Sequence, residues 1–164
     1  MYGGKNGQWS ATWLGLAGYT LVLGYVVTGV FQVLVWNPLA AVPGATLDEI
    51  HAAMERANES LSAPTVLVWA ATGTVLAAGV LIATLRRSIS GKTAAVLYLL
   101  LLALAAPALM MASFPAGMGL ADTFAISGGD HAPWGGALYT VSAVAFLALA
   151  MLTVRRLRSD LRGT

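Results

Sequence analysis

Cysteine is absent from this chain of 164 residues, and charge is scarce. Without cysteine the protein forms no disulfide, no thiolate metal site and no cysteine nucleophile. Charged residues make up 10% of the sequence and hydrophobic residues 58%, whereas a typical soluble domain is about 25% charged. These proportions exclude an ordinary soluble domain and predict a protein that is stabilised by packing in a lipid bilayer.

The motifs of common reaction chemistries are also missing. The sequence contains no G-x-S-x-G and no H-E-x-x-H motif, which mark two widespread kinds of hydrolytic site. Ser127, Asp130 and His131 lie close together in the chain, but neighbouring residues do not orient one another as a catalytic triad. Gly128 and Gly129 lack the lysine and the spacing of a phosphate-binding loop. We therefore predict that the protein is not an enzyme.

Four long apolar blocks without any Asp, Glu, Lys, Arg or His dominate the chain. Each has a length within the roughly 17 to 25 residues that a helix needs to cross a hydrocarbon core of about 30 Å. The sequence predicts an all-α integral membrane protein: a four-transmembrane-helix bundle in one membrane domain, residues 1–164. The predicted segments are TM1 at 12–36, an outer amphipathic helix at 46–62, TM2 at 65–85, TM3 at 94–114, an outer loop at 115–136, TM4 at 137–154 and a basic cytoplasmic tail at 155–164.

The charged residues divide between the two ends of the predicted bundle. Eight of the nine basic residues fall on one side, whereas six of the seven acids and both histidines fall on the other. The positive-inside rule makes the basic side cytoplasmic, which predicts a multi-pass protein of the plasma (inner) membrane with both termini in the cytoplasm. The abundance of Ala, Gly and Arg suggests a bacterial source. Nucleic acid is not an expected partner, because the net charge is only +2.

The segment between TM1 and TM2 has the pattern of an amphipathic helix. Thr46 and Glu49 fit a capping box, in which each side chain accepts from a first-turn amide. Apolar residues then recur at spacings of three and four, so that they form one stripe. The opposite face is acidic, which favours docking onto protein over docking onto anionic lipid. We expect the helix to cover the bundle's own mouth, with a partner subunit as the alternative. The stripe consists of Leu47, Ile50, Met54, Ala57 and Leu61.

A divalent metal is an alternative function of the same helix. Asp48, His51 and Glu55 follow one another at spacings of three and four, and Asp130 with His131 is predicted on the same side of the membrane. Imidazole and carboxylate groups are suitable ligands for Zn²⁺ and similar ions. A solvated acidic helix produces such spacings as well, so the main expectation is that the protein holds no cofactor.

Within the spans, small and polar residues indicate where helices meet. Gly24 and Thr28 in TM1, and Gly73 and Ala77 in TM2, are four residues apart, a spacing that lets helix backbones approach closely. We expect TM1 and TM2 to pack tightly, or one of them to face another protomer. Gln32 predicts an interhelical hydrogen bond, because a side-chain amide does not face lipid comfortably. In TM3, Pro107 is expected to produce a bend or a hinge.

Three functions are compatible with these features. The leading hypothesis is a non-enzymatic membrane protein that acts as a homo-oligomer or as an accessory subunit of a larger complex, with the acidic outer surface used for recognition. The first alternative is a small channel or transporter whose outer vestibule attracts cations. The second is an outward-facing metal or pH sensor that uses His51 and His131.

Overall fold

Four long apolar helices form an antiparallel bundle, and the predicted all-α, four-span fold class is confirmed. The chain is therefore a multi-pass membrane protein. A computed structural model describes residues 4–162 of the chain, without the side chains of residues 4–10, 156, 157 and 159–162. The elements in chain order are α1 (Gly4–Phe31), a π-helical turn (Gln32–Trp36), α2 (Asn37–Ala41), α3 (Leu47–Arg56), α4 (Ala63–Leu85), α5 (Gly91–Phe124) and α6 (Trp134–Arg162).

The first span is longer than predicted and continues to Ala41. Asn37 and Pro38, which follow the predicted end at residue 36, form the first turn of α2. Proline carries no amide to bond the preceding turn, and its ring crowds the carbonyl four residues earlier. The backbone accommodates Pro38 by widening the turn before it, so that the Asn37 amide bonds the carbonyl of Gln32 five residues back.

The predicted outer loop at 115–136 is wrong over its first ten residues, because α5 remains helical as far as Phe124. Only residues 125–133 connect α5 to α6. The glycines that suggested a loop are contact positions: a Cβ on Gly119 would lie 2.9 Å from the Met54 methyl, and one on Gly117 would overlap the carbonyl of Gly128. Glycine at these two positions lets α3 and the connection lie directly against α5.

The predicted basic tail has no separate structure, since α6 continues through Arg155 to Arg162. Residues 163–164 of that tail lie outside the described residues. α5 likewise remains helical through both Pro107 and Pro115, and the hinge expected at Pro107 stays a prediction.

The predicted outer helix at 46–62 is too long, because α3 ends at Arg56 and Asn58 has a positive φ of 65°, so that Ala57 and Leu61 follow the helix. α3 lies across the acidic end of the bundle with its apolar side turned inward. Ile50, Met54 and Leu61 are almost completely buried, Leu47 is half-buried and Ala57 is exposed. The predicted capping box is present, because the Glu49 amide donates to the Thr46 hydroxyl while the Glu49 carboxylate accepts from the Thr46 amide. The helix covers the bundle's own mouth with this apolar side.

Helix pairs close three sides of the bundle. α1 makes its most extensive contact with α4, and α4 with α5 and α5 with α6 are also closely packed. A Cβ on Gly73 would lie 3.2 Å from Val26 on α1, and one on Gly29 would lie 2.6 Å from the Trp69 ring on α4. The fourth side, between α1 and α6, has far fewer contacts, which leaves it open along the membrane.

Candidate functional site

The open side forms a lateral groove of about 600 Å³ between α1 and α6. Its size is within the roughly 300 to 1,000 Å³ that is typical of binding pockets. The α1 wall carries small residues at one face of the helix, since Thr20, Gly24 and Thr28 recur every four residues. Apart from the neighbouring residues and the backbone of its own helix, no described atom lies within 4 Å of the point where a Gly24 Cβ would sit. The α6 wall includes Ala137, Val141, Val144, Ala145 and Ala148.

The floor of the groove contains a hydrogen-bond cluster centred on Ser142. Its hydroxyl donates to the Leu102 carbonyl at 2.7 Å and accepts from the Ala106 amide at 3.2 Å. In a regular α-helix these two α5 groups would bond each other directly. The Tyr25 hydroxyl, which lines the groove, lies 3.1 Å from the same oxygen and therefore donates to it. The cluster joins α1, α5 and α6 below the groove.

Hydroxyl groups on the α1 wall differ from those of five other threonines in the spans. Thr72, Thr74, Thr84, Thr140 and Thr153 each donate to the carbonyl four residues earlier. Thr20 and Thr28 make no hydrogen bond to any residue that the structure describes. A polar group without a partner in hydrocarbon is costly, so these two hydroxyls are available to an acceptor that enters the groove.

Aromatic rings close the groove at its acidic end. The rings of Trp36 and Trp134 lie 5.4 Å apart, and the Phe31 ring is 5.5 Å from Trp36. Trp134 also lines the groove. Tryptophan favours the interface between hydrocarbon and headgroups, so the aromatic cluster marks the level at which the groove meets the membrane surface.

A second polar cluster lies next to these aromatic rings, where the connection before α6 folds back onto the first span. The Nε2 atom of Gln32 donates to the Asp130 carboxylate at 3.1 Å and to the Ala132 carbonyl at 3.4 Å. Gln32 is 1% exposed, and its Oε1 atom has no hydrogen-bond partner among the described residues. The interhelical bond predicted for Gln32 thus goes to the connection between two helices.

Asn37 holds the same connection from the other side of the π-helical turn. Its Oδ1 atom accepts from the amides of His131, at 2.6 Å, and Ala132, at 3.3 Å. The His131 ring turns back along the connection, where its Nε2 donates to the Ser127 carbonyl at 3.0 Å. The connection is therefore anchored by two buried amide side chains of the first span.

The structure does not bring the five predicted metal ligands together. Asp130 lies beside Gln32, whereas His51 and Glu55 line a different depression of about 230 Å³ with Pro64. Asp48 is exposed on α3. Among the side chains that the structure describes, no three of His, Cys, Asp or Glu are placed to hold a metal ion.

The other predicted packing residues fall into two groups. Gly73 and Ala77 lie inside the bundle, where the Ala77 carbonyl accepts from the Tyr98 hydroxyl at 3.3 Å. Gly24 and Thr28 face the open groove instead. Ser142 and Asn37 are site residues that were not predicted, although a polar side chain within or beside an apolar run is the signal that would have found them.

The chain matches no protein-family model, and no curated protein or solved structure is similar to it at a significant level.

Proposed function

We propose that the protein is a non-enzymatic accessory subunit of a membrane complex, and that a transmembrane helix of a partner subunit occupies the groove between α1 and α6. The carrying observation is the run of Thr20, Gly24 and Thr28 along the open wall. Small residues every fourth position allow a second helix to approach the backbone closely, which is a main source of helix association in lipid.

A helix explains the groove better than an acyl chain does. Lipid chains fill any apolar surface without needing small residues or hydroxyl groups. The unpartnered hydroxyls of Thr20 and Thr28 can donate to an acceptor, and a helix supplies one through a polar side chain or a carbonyl. Hydrogen bonds of this kind between membrane helices contribute about 0.6 to 2 kcal/mol each.

A partner with a protruding helix is favoured over a second copy of this chain. A twofold dimer brings the same surface of both copies together. Two concave grooves do not fill each other, whereas a single helix fits between α1 and α6. The homo-oligomer is therefore the less favoured form of the proposal.

The acidic end of the bundle is a second surface that the partner is proposed to contact. α3 buries its apolar stripe and leaves Asp48, Glu49 and Glu55 exposed, so a partner meets its acidic face. Complementary charge increases the rate and specificity of association, which favours a partner with basic residues outside the membrane. In this proposal the acidic end is extracytoplasmic, the termini are cytoplasmic and the membrane is a bacterial inner membrane.

The test compares two glycines that are both exposed and both without close neighbours. Gly24 lines the groove, whereas Gly79 lies on α4 outside it. Replacement of either by leucine adds an apolar side chain to a helix that tolerates it. The G24L variant is expected to lose a stoichiometric partner that wild type and G79L retain during purification from native membranes in mild detergent.

A photo-crosslinking residue at position 28, with position 79 as the control, tests the same site directly. A product that contains a different membrane protein, formed from position 28 and lost in G24L, supports the proposal. Cross-linking from position 28 to a second copy of the chain, or to lipid alone, would contradict it.

A further inference from the structure

The end of the bundle opposite α3 contains a polar crevice of about 340 Å³ where α1, α4 and α5 meet. It is lined by Thr12 of α1, Thr84 of α4, and Arg87 and Ser90 of the connection between α4 and α5. Two close contacts define its walls. A Cβ on Gly15 would lie 3.2 Å from the Thr84 methyl, and one on Gly91 would lie 3.3 Å from the Ala11 methyl.

Positive charge is concentrated at this crevice. Arg86, Arg87 and Lys92 lie within seven residues and are all exposed, and Arg87 also lines the crevice. Every acidic side chain that the structure describes lies at the opposite end of the bundle, on α3, on the segment after it, near the end of α5 or in the connection before α6. The three cations therefore have no nearby carboxylate within the described side chains.

The backbone fixes Arg87 at the edge of the crevice. The end of α4 closes with the Ser88 amide bonded to the Ala83 carbonyl at 3.0 Å and the Arg87 amide bonded to the Thr84 carbonyl at 3.1 Å. Arg87 adopts the left-handed conformation, with φ 59°, that this kind of helix ending requires. The guanidinium is thus attached to an ordered turn, two residues after Leu85, the last apolar residue of α4.

We propose that this crevice binds an anionic phosphate group, with Arg87 as the charged ligand and the hydroxyls of Thr12 and Ser90 as further polar contacts. Guanidinium and hydroxyl groups recognise phosphate oxygens through charge-assisted hydrogen bonds. Basic pockets between the ends of membrane helices are typical sites for anionic lipid headgroups. The crevice lies where three spans end, at the level of such headgroups, and Leu85 and Ile89 beside it provide apolar surface for the chains.

The proposal is independent of the groove between α1 and α6, and it is tested on the purified full chain by native mass spectrometry. The probes are phosphatidylglycerol, phosphatidylcholine and inorganic phosphate. Wild type is expected to bind phosphatidylglycerol about tenfold more tightly than phosphatidylcholine, which has the same phosphate but no net charge. Binding of inorganic phosphate alone would identify a free anion as the source of the phosphate group, and binding of phosphatidylglycerol alone would identify the lipid.

Arg86 provides a matched control, because it is the adjacent arginine but does not line the crevice. R87N and R86N remove the same charge, and asparagine tolerates the left-handed conformation at position 87. R87N is expected to lower the affinity for the bound phosphate compound about tenfold, whereas R86N changes it less than about threefold.

A third variant distinguishes binding inside the crevice from attraction by the surrounding positive charge. T12F fills the crevice and leaves all three cations in place, so it is expected to lower the affinity as R87N does. Equal effects of R86N and R87N, unchanged affinity in T12F, or measurable binding of phosphatidylcholine equal to that of phosphatidylglycerol would each overturn the proposal. Circular dichroism of each variant establishes that the helices are intact.

Discussion

The hydroxyls of Tyr25 on α1 and Ser142 on α6 lie 3.1 Å apart, and the Ser142 oxygen in turn bonds both the Leu102 carbonyl and the Ala106 amide of α5. One buried serine thus bonds hydrogen-bonding groups of two other helices. Pro107, which directly follows Ala106, cannot donate to the preceding turn.

Replacement of Ser142 by alanine is expected to destabilise the bundle. It leaves the Tyr25 hydroxyl without its partner in an apolar environment and removes both bonds from α6 to α5, at a cost of about 1 to 3 kcal/mol in the free energy of unfolding. Thermal or denaturant unfolding in detergent measures this. Y25F removes only one donor and leaves the two α5 bonds in place, so it should cost less than S142A. Equal stability of S142A and wild type would contradict the role assigned to Ser142.

Asn37 is expected to control the order of the connection at residues 125–133. N37A removes the acceptor of the His131 and Ala132 amides, which should cost about 1 to 3 kcal/mol and accelerate hydrogen exchange at those two amides. S127A is the control, because the His131 ring bonds the Ser127 carbonyl, which alanine retains. Faster exchange in S127A than in N37A would show that the anchor lies elsewhere.

The end of α5 offers a stabilising substitution. Ala125 has φ 54°, a left-handed conformation that costs a residue with a Cβ about 1 to 2 kcal/mol relative to glycine. A125G should therefore raise the free energy of unfolding by about 1 kcal/mol. A121G, inside α5, should instead lower it by about 1 kcal/mol, since glycine weakens a helix interior. The two alanines four residues apart should thus respond with opposite signs.

The start of α3 is expected to depend on pH through Glu49. The hydrogen bond from the Thr46 amide, at 2.7 Å, and a second from the Thr46 hydroxyl, at 2.8 Å, hold the pKa of the Glu49 carboxyl below its ordinary value. A lowered pKa in the folded state means that the stabilisation is fully present above the ordinary pKa. It is lost as the pH falls through the lowered value.

Hydrogen exchange at the first-turn amides of α3 measures this effect. Exchange, corrected for its intrinsic pH dependence, should accelerate at acidic pH in wild type. E49Q keeps an oxygen acceptor but does not titrate, so its exchange should show no such step. A step of the same size in E49Q would assign the pH dependence to another group.

The sequence predicted the four spans and the outer helix because both depend on local patterns. Uncharged blocks of sufficient length determine the spans, and the stripe with its capping box determines α3. The length of α5 could not be predicted in the same way, since Gly117 and Gly119 have the composition of a loop and act as contact positions against distant residues.

The sites depend on contacts that composition does not encode. A span that is apolar on all sides gives no indication of which face meets lipid and which faces a neighbouring helix. The sequence therefore did not predict that Gly24 would face the groove. The metal hypothesis joined residues from two separate connections, but Asp130 bonds Gln32 and lies away from the depression at His51. Charge alone did not specify which acids would be neighbours.

The π-helical turn changes the angular phase of the first span. Each residue of an α-helix advances the side-chain direction by about 100°, so residues five apart would point roughly 140° away from each other. The turn holds one residue more than an α-helical turn does, which brings Gln32 and Asn37 to the same face, where both bond residues 130–132. Regular α-helical winding over the same five residues would turn Gln32 and Asn37 to different faces and separate the two halves of the anchor.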